Sequence, residues 1–230
     1  RQMCIRDRLG MRQKTTLRSE RYSFLQVLLT VISVCCLLIS NVITSKQMQF
    51  PFGITMTGAI YIFPVTYILS DVFSEVYGYR WSRITCYLGF AMNVVMVLAF
   101  ELAIASPAPS YWGNQEAFAT VLGNAPRVLI ASLSAFVIGD LVNDRVFRKM
   151  KSKHPDDHKK FGVRAVASSF FGELADSLVF IPIAFLGQMP IESLVQMLVA
   201  QVVLKTAYEV IILPITTMVV NKVDKYERGE

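Results

Sequence analysis

The stretch 22–45, YSFLQVLLTVISVCCLLISNVITS, runs between Arg21 and Lys46 through 24 residues with no formal charge. A second uncharged run of 24 residues, QMQFPFGITMTGAIYIFPVTYILS, fills 47–70 and ends at Asp71. At about 1.5 Å of rise per residue, a helix of either length reaches roughly 36 Å, more than the hydrocarbon core of a bilayer at about 30 Å. Backbone that crosses lipid must satisfy its own hydrogen bonds, so each run predicts a transmembrane helix. The same rule carried outward gives spans near 22–45, 50–71, 83–105, 126–144, 164–187 and 194–220. The expected fold is all-α, a polytopic membrane protein built as a bundle of six transmembrane helices. Composition agrees: hydrophobic residues make up 53% of the 230 and charged residues 17%, against about 45–50% and about 25% in a soluble domain. This composition argues against a water-soluble globule and excludes a disordered chain.

Lysine and arginine set the orientation. Twenty of the 23 fall in the N-terminal tail, the loop holding Arg80 and Arg83, the loop 145–164 and the tail after 221. Lys46 and Arg127 lie on the opposite side, and Lys205 lies within a span. Both termini are therefore expected in the cytoplasm, with a basic tail over 1–20, the six-helix domain over 21–221 and a second tail over 222–230. The polar stretch before Met11 reads as foreign to the native chain. The first span is too long for a signal-peptide core and is expected to be retained. The net charge of +6 belongs to loops that face anionic lipid. Asp156 and Asp157 interrupt the basic run, so no nucleic-acid partner is expected. Cys4, Cys35, Cys36 and Cys86 fit no disulfide or metal spacing. His154 and His158 sit in a polar loop, and neither a metal nor a cofactor is expected.

The informative residues are ionisable groups inside spans. Glu173 and Asp176 are three apart and share a helix face; Gln201, Lys205, Tyr208 and Glu209 form a polar stripe on the last span. Asp71 and Glu75 close the second span at a spacing of four, as Asp140 and Asp144 close the fourth. A central carboxylate costs about 2.5–3.5 kcal/mol to insert, while each large apolar residue returns only about 0.3–0.6. The fifth span sets roughly 5 kcal/mol of apolar gain against about 6 for its two acids, so its acidic face must point into a bundle or a wet cavity. Gly187 and Pro190 mark a tight turn that makes the last two spans antiparallel neighbours and gathers Glu173, Asp176, Lys205 and Glu209. Pro64, Pro182 and Pro214 are expected to break the same acid-bearing spans, as in helices that form carrier sites.

Three blocks carry a resemblance: FPVTYILSDVFSEVYGYRWSR (63–83), GELADSLVF (172–180) and KTAYEVIILP (205–214), with SNVITSK (40–46) in support. Over about 20–226 the chain resembles the bacterial queuosine precursor transporters (YhhQ-like) of the vitamin uptake transporter family. The resemblance implies a multi-pass inner-membrane transporter, not an enzyme. It would import a 7-deazaguanine such as 7-cyano-7-deazaguanine for salvage into the queuosine modification of tRNA. Such a cargo is flat and presents N1–H and 2-amino donors, which a carboxylate accepts together while aromatic rings stack on its faces. Glu173 or Asp176 is expected to accept from that edge, with Lys205 and Glu209 orienting the site or carrying a proton. Tyr67 and Tyr208 are expected beside them, and Asn41, Lys46, Asp71 and Glu75 along the path. The expected partners are this cargo, the lipid bilayer and, in an oligomeric form, further copies of the chain.

Two rivals remain in the sequence. A substrate-binding component that docks on an ATP-driven module has the same size, but residues 22–45 hold no Ala or Gly of the kind used for such docking. An energising module is therefore not expected to be required. An intramembrane aspartyl protease needs a Gly-x-Gly-Asp context, and Val137-Ile138-Gly139-Asp140 holds only its second Gly.

Overall fold

The computed structural model describes residues 22–51, 54–153 and 161–228. The tail 1–20 with Cys4, the histidine-bearing part of the long basic loop, and the last two residues lie outside the described residues. In chain order the elements are α1 (Phe24–Ile43), a hairpin of β1 (Gln47–Gln49) and β2 (Thr55–Thr57), a 3₁₀ turn (Gly58–Tyr61), α2 (Phe63–Val72), a π turn (Phe73–Tyr77), α3 (Tyr79–Ala105), α4 (Gln115–Leu122), α5 (Ala125–Lys153), α6 (Phe161–Phe185) and α7 (Ile191–Arg228). Ser23 caps α1, its Oγ accepting from the Gln26 backbone N–H at 2.9 Å. Gly78 (φ +81) and Gly187 (φ +83) take the left-handed turns before α3 and after α6.

The second uncharged run corrects the expectation of a single helix over 50–71. Its first half is extended, with Gln47 opposite Thr57, Met48 opposite Met56 and Gln49 opposite Thr55, and helix begins only at Phe63. Hydropathy measures transfer into lipid, not conformation, and this run carries Pro51, Gly53, Thr55, Thr57 and Gly58, which disfavour helix. Non-helical backbone is tolerated at membrane depth when buried in protein, and Met56, Thr57, Gly58 and Ala59 are all buried. A Cβ at Gly58 would lie 2.6 Å from the Ile43 carbonyl oxygen, so only glycine lets the turn pass the end of α1. Pro64 likewise sits in the first turn of α2, where no backbone donor is needed, rather than inside a helix. Pro182 and Pro214 lie within α6 and α7 as expected.

Glycines set the closest helix crossings. A Cβ at Gly139 would meet the Gly172 carbonyl oxygen at 3.0 Å, and one at Gly172 would meet Asn143 Cβ at 2.9 Å, so α5 and α6 cross nearly backbone to backbone. Arg127 fastens the far end of this pair: its Nε and guanidinium N–H groups donate to the Ile183 and Leu186 carbonyls, both at 2.6 Å, satisfying the open end of α6. A core of Ala131, Ile181, Ala184, Phe185, Leu194 and Met197 then joins α5, α6 and α7. At the other end of the bundle, Tyr22 stacks on Trp81 with centroids 4.9 Å apart, and Tyr77 Oη donates to Glu227 at 2.8 Å. The starts of α1 and α3 and the end of α7 therefore meet at one end.

Large apolar side chains cover the outside, among them Leu98, Leu102, Ile130, Val195, Ile211 and Met218, while Asn93, Ser177 and Gln201 are buried. This inverts the distribution of a soluble protein. Among the described residues, Phe24–Ile43, Arg80–Ala105 and Gln115–Asn143 are long and apolar enough to cross a membrane.

Candidate functional site

Part of the polar interior surrounds a cavity of about 440 Å³, bounded by α1, α2, α3, α5, α6 and α7 together with β2. Its volume falls in the range of small-molecule sites, about 300–1,000 Å³. Polar residues are in the majority among those that line it, while Leu37, Phe90, Phe136 and Phe180 give it large apolar faces.

The Gly139–Gly172 crossing creates the acidic side of this wall. Each glycine precedes an acid, Asp140 on α5 and Glu173 on α6, so the close approach brings both carboxylates to the cavity together with Asn143 and Asp176. Lys205 of α7 donates to Asp176 Oδ2 at 2.9 Å. The ammonium side chain is 13% exposed and the carboxylate 32%, an ion pair at the cavity surface and not in dry packing. Tyr67 of α2 points its hydroxyl at Glu173 Oε1, 3.4 Å away. Its ring lies 6.3 Å from that of Tyr208, centroid to centroid.

Asn41 approaches from α1 and is held in place by amide pairing. Its Nδ2 donates to Asn93 Oδ1 at 2.6 Å, and its Oδ1 accepts from Ser132 Oγ at 3.4 Å. Near one end of the cavity Arg83 of α3 donates to Asp140 at 2.8 Å.

Five of the ten residues singled out in the sequence thus line one cavity: Asn41, Tyr67, Glu173, Asp176 and Lys205. Tyr208 lines a smaller recess beside it. The Glu209 side chain lies outside the described residues. Lys46 is exposed in the turn after α1, where its carbonyl accepts from Gly58 N at 2.8 Å. Asp71 and Glu75 are exposed at the α2–π turn junction and are not part of the cavity wall.

Sequence reasoning missed Asn93, Ser132, Asn143 and the Arg83–Asp140 pair. Two signals were available. Asn93 is an amide inside the uncharged run from Ile84 to Phe100, and a polar group at such a place needs a partner. Asn143 follows Asp140 by three residues and shares its face.

The geometry suits a flat, polar, mostly neutral molecule. Carboxylates and an ammonium on one wall offer acceptors and donors, and tyrosine and phenylalanine rings offer faces for stacking. Among the described residues no cluster of His, Cys, Asp and Glu could hold a metal ion.

A family model described as "Putative vitamin uptake transporter" matches residues 57–219. The chain is similar to a "Probable queuosine precursor transporter" of Bacillus subtilis, 26% identical over 163 residues that cover 71% of each chain. It is also similar to the queuosine precursor transporter of Escherichia coli, 24% identical over 63% of this chain and 64% of the relative. A relative from Haemophilus influenzae is 24% identical over 58% of this chain and 54% of its own. No solved structure matches the chain.

Proposed function

Because this chain belongs to the vitamin uptake transporter family and not to an enzyme family, we propose that it imports a queuosine precursor of the 7-deazaguanine type across the bacterial inner membrane, for salvage into tRNA. In this reading it crosses the membrane six times with both termini in the cytoplasm. The β1–β2 pair and the 3₁₀ turn then enter from the outer side, and the end joined by Tyr77 and Glu227 faces inward, as the distribution of Lys and Arg requires.

The observation that carries the proposal is a cavity inside an apolar exterior with the ionisable residues Glu173, Asp176 and Lys205 on one wall. Ionisable groups are kept inside a membrane protein at a cost of kilocalories, and a passing polar cargo explains that cost. Glu173 or Asp176 accepts from the N1–H and 2-amino edge, Tyr67 stacks, and Lys205 with Glu209 orients the acids or carries a proton. Asn41 lines the path. Lys46 marks its outer approach, and Asp71 and Glu75 mark its inner one. The chain works as a solitary carrier, so import persists when it is expressed without any ATP-driven module.

The test is the Glu173→Gln substitution. It should abolish import of labelled 7-cyano-7-deazaguanine while membrane insertion and protein level stay normal. Unchanged precursor-dependent growth of that variant refutes the assignment.

A further inference from the structure

Besides its charged wall, the cavity has an uncharged border where Asn41 of α1 meets Ser132 of α5. Behind Asn41 lies α3. The two helices come close at Leu37 and Gly89, where a Cβ on Gly89 would lie 2.8 Å from Leu37 Cδ2. One helical turn on from that contact stand Asn41 and Asn93, on the same faces of their helices. Asn93 is fully buried and Asn41 is 5% exposed. The bonds between them fix each amide in turn. The Gly89 carbonyl can only accept, so Asn93 turns its Nδ2 towards it, at 3.3 Å, and its Oδ1 towards α1. Facing an oxygen, Asn41 must present its own Nδ2, at 2.6 Å, and its Oδ1 accepts from Ser132 Oγ at 3.4 Å. A carboxamide has two N–H donors and two acceptor lone pairs, so one of each remains on Asn41 for a molecule in the cavity.

Resting on the reading that the cargo is a 7-deazaguanine, we infer that Asn93 is a positioning residue: it fixes which way the Asn41 carboxamide faces, and so which donor and acceptor the uncharged border offers the cargo. Asn93 is not among the residues that line the cavity. One amide at the cavity with a second behind it is the arrangement of a recognition group and its support. A carboxylate that takes the N1–H and 2-amino donors leaves the ring's O6 and N3 acceptors and its N9–H donor to be met from elsewhere, and an oriented amide can meet one of each kind. Without Asn93, the Asn41 amide is free to turn over, which exchanges donor for acceptor and sets like against like.

The experiment is calorimetric binding of 7-cyano-7-deazaguanine to the purified full-length protein and to substituted forms of it. Asn93→Ala should weaken binding by about three- to tenfold, the worth of one net hydrogen bond. Asn93→Val removes the amide while filling its space and should act alike, which separates the effect from that of a void. Asn93→Asp should bind within about twofold of the parent, because a carboxyl group buried out of water is neutral. Its O–H then donates to the Gly89 carbonyl while its own carbonyl accepts from Asn41. In an Asn41→Ala background, Asn93→Ala should cost less than about a further twofold, since the group it orients is gone. Parent-like affinity in both Asn93→Ala and Asn93→Val overturns the assignment, as does a loss in Asn93→Asp as large as that in Asn93→Ala. An undiminished loss in the Asn41→Ala background overturns it too, and so does failure of both Asn93→Ala and Asn93→Val to fold, for the pair then serves only the contact of α1 with α3. Failure of the parent protein to bind the ligand refutes the cargo reading itself, and the assignment with it.

Discussion

Exchanging Lys205 for Met strands the Asp176 carboxylate against the cavity wall, and the size of the effect follows from the geometry. Opposite unit charges at the observed 2.9 Å attract by about 6 kcal/mol at an effective dielectric near 20 and by about 1.4 kcal/mol in bulk water. With the ammonium 13% and the carboxylate 32% exposed, the pair lies between those limits and keeps part of its hydration. Lys205→Met and Asp176→Asn should each lower stability by about 2–3 kcal/mol, since each removes one partner of a largely buried ion pair. The double variant removes the pair as a whole, so its loss should fall short of the sum by about 1–3 kcal/mol. Unfolding in detergent, followed for the parent, both singles and the double, gives this coupling directly. Uptake should behave differently, with all three variants failing to import because the cargo has lost the groups it recognises. Should the double variant regain both stability and import, the pair only locks α6 to α7 and the argument from cargo recognition is refuted.

Gly172→Val would drive a side chain into Asn143, where a Cβ alone already comes within 2.9 Å. Thermal unfolding should show a loss of about 1–3 kcal/mol. Gly113→Ala, with nothing within 4 Å of the added carbon, should stay within about 0.5 kcal/mol. Tyr77, outside the spans, has its hydroxyl pKa raised first by burial and then by its hydrogen bond to Glu227. Its contribution is fully present below about pH 10, the unfolded value. It is lost as pH rises towards the higher folded value, because the folded chain then holds the proton that the unfolded chain gives up. Stability measured from pH 8 upward should therefore fall less steeply in Tyr77→Phe than in the parent.

Part of the site was legible before any coordinates. Glu173, Asp176 and Lys205 betrayed themselves by cost, since charges inside apolar spans must face one another or water, and the short turn at Gly187 left α6 and α7 no choice but to run side by side. Asn41 and Tyr67 were nameable as candidates, but their arrival at the same cavity depends on how α1 and α2 lean on α5 and α6, which no spacing along the chain records. Asp71 and Glu75 show the same limit from the other side. Their spacing of four matches that of Asp140 and Asp144, yet Asp140 reaches the cavity and Asp71 does not.

The sequence by itself determined that this chain belongs in lipid and which helices carry the charges, because transfer free energy and helical period are local properties summed along the backbone. Only the tertiary structure decided that Gln47–Gln49 pairs with Thr55–Thr57 and Gly58–Tyr61 forms a 3₁₀ turn, that two glycines bring Asp140 and Glu173 to one wall, and that Arg83 and Asn93 close contacts across more than 50 residues of sequence. Those outcomes depend on which surfaces meet, through steric fit at the glycine crossings and hydrogen-bond partners supplied by distant elements, and neither exists until the helices are assembled.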